Sequence, residues 1–265
     1  MTKHYRLIWF QHLRKVAGST IVRLAEANQE MLYPQHTNGN PRTTDGKLIR
    51  IWEMDPTDLA HFVDQCEHDG ITFVSTEWGA PEVATLASDP RIILITCLRD
   101  PLERFLSEYY YSVYKGRTDR RSIEDFVDST AMHSLHTLSM FNYYCRIFSR
   151  YNDHPEPVGP EQFEMAQSAL ALFDHCATLE DQDPFAEFPR LLGWSISEVA
   201  VNRTVMDWSL FGKLLFQGHI HQLLRRLANP RQEPSDEYRK YFREQNQWDY
   251  QLYEEARERR VNVSS

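Results

Sequence analysis

The chain has 265 residues, 42% hydrophobic and 25% charged, and its 29 Lys+Arg stand against 38 Asp+Glu for a formal net charge of −9. That length and balance suit a globular core of one large α/β domain or two small ones. The acidic balance argues against a broad nucleic-acid surface, which needs many Lys/Arg–phosphate contacts, but leaves room for one local cationic pocket.

In chain order, "YRLIWFQH" (Tyr5–His12) reads as a buried strand, followed by a small-residue loop and an amphipathic helix over Ser19–Met31. Tyr33–Gly46, rich in Pro, Gly, Asn and Thr, reads as a long loop. "PTDLAHFVDQCEHDG" predicts a helix with Thr57 or Asp58 near its cap and Gly70 as its stop. "ITFVSTEWG" is a second strand and "PRIILITCLRD" a third, after which Asp100 and Pro101 open a helix as N-cap and first helical residue. The remainder predicts helices over Ser122–Ser129, Leu135–Tyr151, Pro160–Leu170, Pro184–Leu192, Gly212–Ala228 and Ser235–Arg260, with one further strand in "ALFDHCATL". The expected fold is α/β: a P-loop-like, three-layer arrangement with a central parallel sheet and a helical C-terminal part. We expect one domain over 1–265, with a core of about 1–115 plus 171–194. Ligands in such sheets sit at the carboxyl ends of the strands.

Cys66, Cys97, Cys145 and Cys176 are scattered and form no CxxC pair, which points to reduced thiols rather than zinc or a redox dithiol. The N-terminus is too polar for a signal peptide, and apolar runs such as Ile92–Ile95 are too short to span a membrane, so a cytoplasmic protein is expected. The glycosylation patterns at Asn202 and Asn262 carry no weight without secretion.

Three places following strand ends carry chemistry. In "RKVAGST" a lysine, a glycine and two hydroxyls gather where a strand turns into a helix, the usual setting for a phosphate. The loop is not a Walker A motif, because Lys15 precedes Gly18 instead of following a second glycine. In "LRDPLERFLSEYYYS", Arg99 ends the third strand and Ser107 lies two turns into the next helix, a pair suited to clamping a second phosphate. Asp100 and Arg104 stand at i, i+4 and are expected to pair. Tyr109, Tyr110 and Tyr111 read as core or groove lining. Glu77, next to Trp78 at the end of the second strand, is the candidate base, since partial desolvation raises a carboxyl pKa.

The ordered pair "FQHLRKVAGSTI" and "LRDPLERFLSEYY" resembles the two nucleotide-binding segments of sulfotransferases. The likeness is to the carbohydrate-type (Golgi-like) branch, in a soluble form, whose first segment reads roughly F-x-H-x-P-K-T-G-G-T-S. This chain departs from that pattern at Arg14 (for Pro), Val16 (for Thr) and Ala17 (for Gly). "NYYCRIFS", "ALFDHCATLEDQDPFAEFPRLLGW" and "REQNQWDYQLYEEARER" extend the likeness over most of the chain. The resemblance implies a sulfotransferase that uses 3′-phosphoadenosine 5′-phosphosulfate (PAPS) as donor, with no metal required. Its donor would be held by Arg14, Lys15, Ala17, Gly18, Ser19 and Thr20 at the 5′ end and by Arg99 and Ser107 at the 3′-phosphate. Lys15 and Glu77 would be the catalytic residues, the lysine stabilising leaving-group charge and the glutamate taking the acceptor's proton. The acceptor would be a hydroxyl or amine of a small molecule or carbohydrate. His12 and His36 compete with Glu77 as base. Asn142 and Arg146 share a helix face and either reach the nucleotide or pack the helix. The alternatives are a P-loop-type kinase, against which the missing G-K-[ST] counts, and a nucleotide-binding protein without sulfotransferase activity, against which the retained Lys15, Arg99 and Ser107 count.

Overall fold

Apolar runs in the N-terminal half become strands whose side chains are almost entirely buried, the habit of parallel sheets covered on both faces. In the computed structural model, β1 (Leu7–Gln11), β4 (Phe73–Thr76), β5 (Ile92–Leu98) and β6 (His175–Thr178) form one parallel sheet in the order β4-β1-β5-β6. β2 (His36–Thr37) and β3 (Asn40–Pro41) form a separate hairpin. The structure describes residues 4–118, 122–130, 141–151, 154, 156–195 and 220–263. His133, His136, His219, Asn202 and the leading parts of the helices expected over Leu135–Tyr151 and Gly212–Ala228 lie outside them.

The sheet order decides where ligands meet the chain. β1 is central, with Gln11 level with Thr76 of β4 on one side and Thr96 of β5 on the other. The segments leaving β4, β1, β5 and β6 therefore emerge side by side, placing Glu77, the Arg14–Thr20 loop, Arg99 and Glu180 along one end of the sheet.

The helices in chain order are α1 (Gly18–Ala27), α2 (Pro56–His68), α3 (Val83–Ala87), α4 (Pro101–Tyr114), α5 (Ile123–Thr130), α6 (Tyr143–Phe148), α7 (Pro160–Ala171), α8 (Phe188–Leu192), α9 (Ile220–Ala228), α10 (Asp236–Gln245) and α11 (Gln247–Val263). Asp100 caps α4, its carboxylate accepting the Glu103 N–H at 3.0 Å, and Pro101 starts the helix. α2 is capped by Asp55 rather than Thr57 or Asp58, and ends before Gly70, whose φ of +70° suits glycine.

Two further expectations about the elements are corrected. The loop over Tyr33–Gly46 contains the β2–β3 hairpin, tied to the end of β4 by Ser75 N–H to Gly39 O at 3.1 Å and Glu77 N–H to Asn40 Oδ1 at 2.8 Å. The single helix expected over Ser235–Arg260 is two, α10 and α11, broken at Asn246. The break has a physical cause: the Asn246 side chain accepts the Asn142 N–H at 2.9 Å, so the chain turns there to meet α6.

Apolar burial divides into two clusters. One surrounds the sheet and includes Trp9, Phe10, Phe73 and the buried Cys97. The other lies between α4, α5 and α10 and includes Phe105, Tyr109, Tyr110, Phe126 and Phe242. α4 borders both the second cluster and the sheet end, and its polar residues face the latter.

Candidate active site

The loop after β1 enters α1 without a cap. Ala17 occupies the N-cap position in the left-handed region, φ +65°, with no side-chain hydrogen bond, and Lys15 is also left-handed at φ +66°. Where a glycine would sit at no steric cost, Ala17 carries a Cβ against the conformation. Left-handed residues near a helix start turn successive backbone N–H groups toward one concavity, and the first-turn donors of a helix have no acceptor within it. Gly18 is required by close approach: a Cβ there would lie 1.7 Å from His12 Nε2. The His12 ring is buried and stacked on Phe10.

Both loop cations are held on α4. Arg14 pairs with Glu108 at 2.8 Å and lies 5.7 Å from the Trp78 ring. Lys15 Nζ lies 4.1 Å from the Tyr111 ring centroid. Arg104, Ser107, Glu108 and Tyr111 follow i, i+3, i+4, i+7 spacing, so they share one face of α4. Desolvation lowers the Lys15 pKa; Glu108 opposes this, while Arg14 and Arg99 add to it. Arg99 is therefore close enough to be felt at Lys15. Glu108 Oε2 is buried with no hydrogen-bond partner among the described residues.

Glu77 joins the same cluster from β4. Burial raises its pKa, Arg14 and Lys15 pull it down, and Glu108 pushes it up. His12 Nδ1 stands 3.7 Å from Glu77 Oε2 and 3.4 Å from Asn38 Nδ2. Burial, then Arg14 and Lys15, lowers the His12 pKa to about 3, so the ring is neutral and its contact with Glu77 is polar rather than an ion pair. His36 is engaged elsewhere, its Nδ1 accepting the Gly39 N–H at 3.1 Å within the hairpin turn.

The segment after β5 is differently occupied. Arg99 Nη2 pairs with Glu103 at 3.1 Å and its Nε lies 3.9 Å from Glu180, while Glu103 also takes Arg231 at 2.6 Å. A cleft of about 460 Å³ opens beside those carboxylates, lined by Arg239, Arg243, Tyr250 and Tyr253 among others. Ser107 is buried on the α4 face that meets the loop. Asp100 and Arg104 do not form the ion pair expected of their i, i+4 spacing: Asp100 serves as the helix cap, and the buried Arg104 guanidinium lies 4.4 Å over the Tyr143 ring.

Asn142 and Arg146 are structural. Asn142 Oδ1 accepts the N–H groups of Trp248 and Asp249 at 3.2 and 3.3 Å, capping α11. Arg146 donates to the carbonyls of Phe141, His154 and Glu156. Sequence reasoning missed Glu108, whose signal was the polar face of an otherwise apolar helix; it placed Tyr111 only as core or groove lining and took Tyr143 and Tyr144 only as part of the extended likeness.

Among the described residues no helix is long and apolar enough to cross a membrane, and no group of three His, Cys, Asp or Glu is placed to hold a metal ion. A family model described as Sulfotransferase family matches residues 1–254. Comparison with curated proteins finds no match.

Proposed function

The chain belongs to the sulfotransferase family, a family of sulfuryl-transferring enzymes, and on that premise we propose that it moves a sulfuryl group from PAPS to a hydroxyl or amine of a small-molecule or carbohydrate acceptor, acting as a single domain. The observation that carries the reading is the juxtaposition, at three adjacent strand ends, of a desolvated carboxylate, an uncapped helix entry beside a desolvated lysine, and an arginine.

The residues fit such a donor. The N–H groups from Lys15 to Ser19, ahead of the Thr20 and Ile21 N–H groups that turn back to Ala17 O, suit the 5′-phosphosulfate, and Arg99 with Ser107 suits the 3′-phosphate. When bound, the donor supplies an already activated sulfuryl group. Lys15 then neutralises charge building on the oxygen that leaves with the nucleotide, a task for an ammonium held in a partly dehydrated pocket. Arg14, fixed by Glu108, adds a second cation. Glu77 takes the acceptor's proton as the new S–O bond (S–N for an amine) forms and the bond from sulfur to the nucleotide oxygen breaks, and its raised pKa suits a base working nearer neutrality. A neutral histidine whose pKa is about 3 is a poor competitor, which favours Glu77 over His12.

The test is titration with 3′-phosphoadenosine 5′-phosphate against ATP plus Mg²⁺, followed by transfer from labelled donor to a panel of hydroxyl and amine acceptors. Tight binding of the bisphosphate and weak binding of ATP is the expected result. The reverse preference would return the chain to the kinase alternative.

A further inference from the structure

α6 is only six residues long, yet its first two side chains reach both candidate donor-binding segments. Tyr143 Oη accepts the Arg14 N–H at 3.0 Å. Tyr144 Oη donates to Arg99 O at 2.7 Å and accepts the Arg99 N–H at 3.2 Å. Both tyrosines are buried, and burial pushes the Tyr143 phenol up to about 12 and the Tyr144 phenol well above its usual value, so both hydroxyls keep their protons. A proline at position 14, as in the pattern this loop resembles, would have no N–H to give Tyr143.

The helix is itself locked in place. Its first N–H groups, from Tyr144 and Cys145, donate to the buried Asp249 carboxylate at 3.0 and 2.9 Å. In return Asn142 caps α11, and Asn246 accepts the Asn142 N–H. Two helix starts thus satisfy one another's orphan donors. The Arg104 guanidinium over the Tyr143 ring closes the arrangement from α4.

We propose that Tyr143 and Tyr144 are positioning residues that set the separation of the two donor-binding segments, so that selectivity for a nucleotide phosphorylated at both 5′ and 3′ positions depends on a helix that touches neither phosphate. The proposal rests on the donor reading above for its ligand, but not for its geometry. Adjacent residues on one short helix are a stiff spacer, because their relative position is fixed by the backbone, and the reciprocal caps with α11 keep that backbone from fraying. Each tyrosine governs one segment, so their losses have different signatures.

The experiment compares Tyr143→Phe, Tyr144→Phe and, as a control for loss of packing, Cys145→Ala, which alters the same buried helix without touching either segment. Affinities for 3′-phosphoadenosine 5′-phosphate and for AMP, which lacks the 3′-phosphate, are measured by calorimetry. Tyr144→Phe is expected to weaken the bisphosphate about threefold to tenfold while AMP holds steady, the scale of one or two neutral hydrogen bonds. Tyr143→Phe should weaken both ligands alike, and Cys145→Ala should lower Tm with the affinity ratio unchanged. A ratio that moves equally in Cys145→Ala, or tyrosine variants that change neither affinity, would overturn the proposal. Amide hydrogen exchange separates it from the donor reading: Arg14 should exchange faster in Tyr143→Phe and Arg99 faster in Tyr144→Phe. If wild type does not discriminate the two nucleotides, the donor reading fails while the exchange pattern still decides the spacer. Should a phenylalanine variant not fold, Asp249→Asn, which weakens the lock and keeps both phenols, must lower both affinities together; unchanged affinities there would sink the idea.

Discussion

After β1 the chain enters its helix through Ala17, a left-handed residue with no capping side chain, whereas after β5 it enters through Asp100, whose carboxylate takes the Glu103 N–H. The first entry leaves its backbone donors without a side-chain cap. The second has spent a donor on its own cap, and its cation, Arg99, is already held by Glu103 and faces Glu180. On the proposed donor reading, neighbouring strand ends would hold a phosphate in two ways. One is built from backbone conformation and is ready before the ligand arrives. The other is built from side chains that must exchange partners when the anion arrives. Substitutions at the first should strike the rate, and those at the second should strike ligand choice.

The largest effect is expected at the backbone-built site. Lys15→Ala should lower kcat about 10²–10³-fold while the bisphosphate still binds, the cost of losing one preorganised group aimed at developing charge. Steady-state kinetics with calorimetry checks this. An unchanged kcat in a folded variant would remove Lys15 from the chemistry and leave the loop as a binding element only.

Next in size is Glu77→Gln, with an expected loss of about 10- to 100-fold in kcat and near-normal nucleotide affinity. A base must be ionised to act, so the wild-type rate should fall as pH drops through the raised pKa of Glu77, and the variant should lack that limb. The linked stability has the opposite sense. A carboxyl whose folded pKa is raised binds protons more readily folded than unfolded, so stability falls as pH rises through that window and stays lower above it. Glu77→Gln should therefore keep or gain Tm at neutral pH. A variant that loses activity and also melts early would mark Glu77 as a structural residue.

This division also explains what could be read in advance. The strands and the β1 and β5 exits were legible because a buried parallel strand is a continuous apolar run and a strand end is where ligands gather. Asp100 and Pro101 announced the start of α4 by residue type alone. The cap of α2 was misplaced by two or three residues because Asp55, Thr57 and Asp58 are all competent cappers, and only geometry chooses among them. The break at Asn246 was invisible because its cause lies at Asn142, over a hundred residues away. The partner of Arg14 and the second neighbour of Arg99 were hidden for the same reason: Glu108 and Glu180 are brought up through the order of the sheet, which local periodicity does not encode, whereas Glu103 stands at i, i+4 from Arg99 and was legible but not read.

The smallest effects test the exchange of partners directly. Arg99→Ala should weaken 3′-phosphoadenosine 5′-phosphate by about tenfold and leave AMP almost unmoved, since a charge-assisted contact is lost from one end of the ligand only. Glu103→Gln acts on the other side of the balance. It keeps the shape and removes the charge that Arg99 must leave when a phosphate arrives, and Arg231, which shares Glu103, loses part of its tether as well. Both pairs are partly exposed, so the ion pairs themselves contribute little to stability and Tm should barely shift. Affinity for the bisphosphate should rise by about threefold, a modest gain because Glu180 still faces the guanidinium and solvent screens the pair. AMP affinity should not change. A fall in bisphosphate affinity would reverse the assignment, for it would mean that Glu103 aims Arg99 at the phosphate instead of competing for it, and the β5 site would then be as preorganised as the loop after β1.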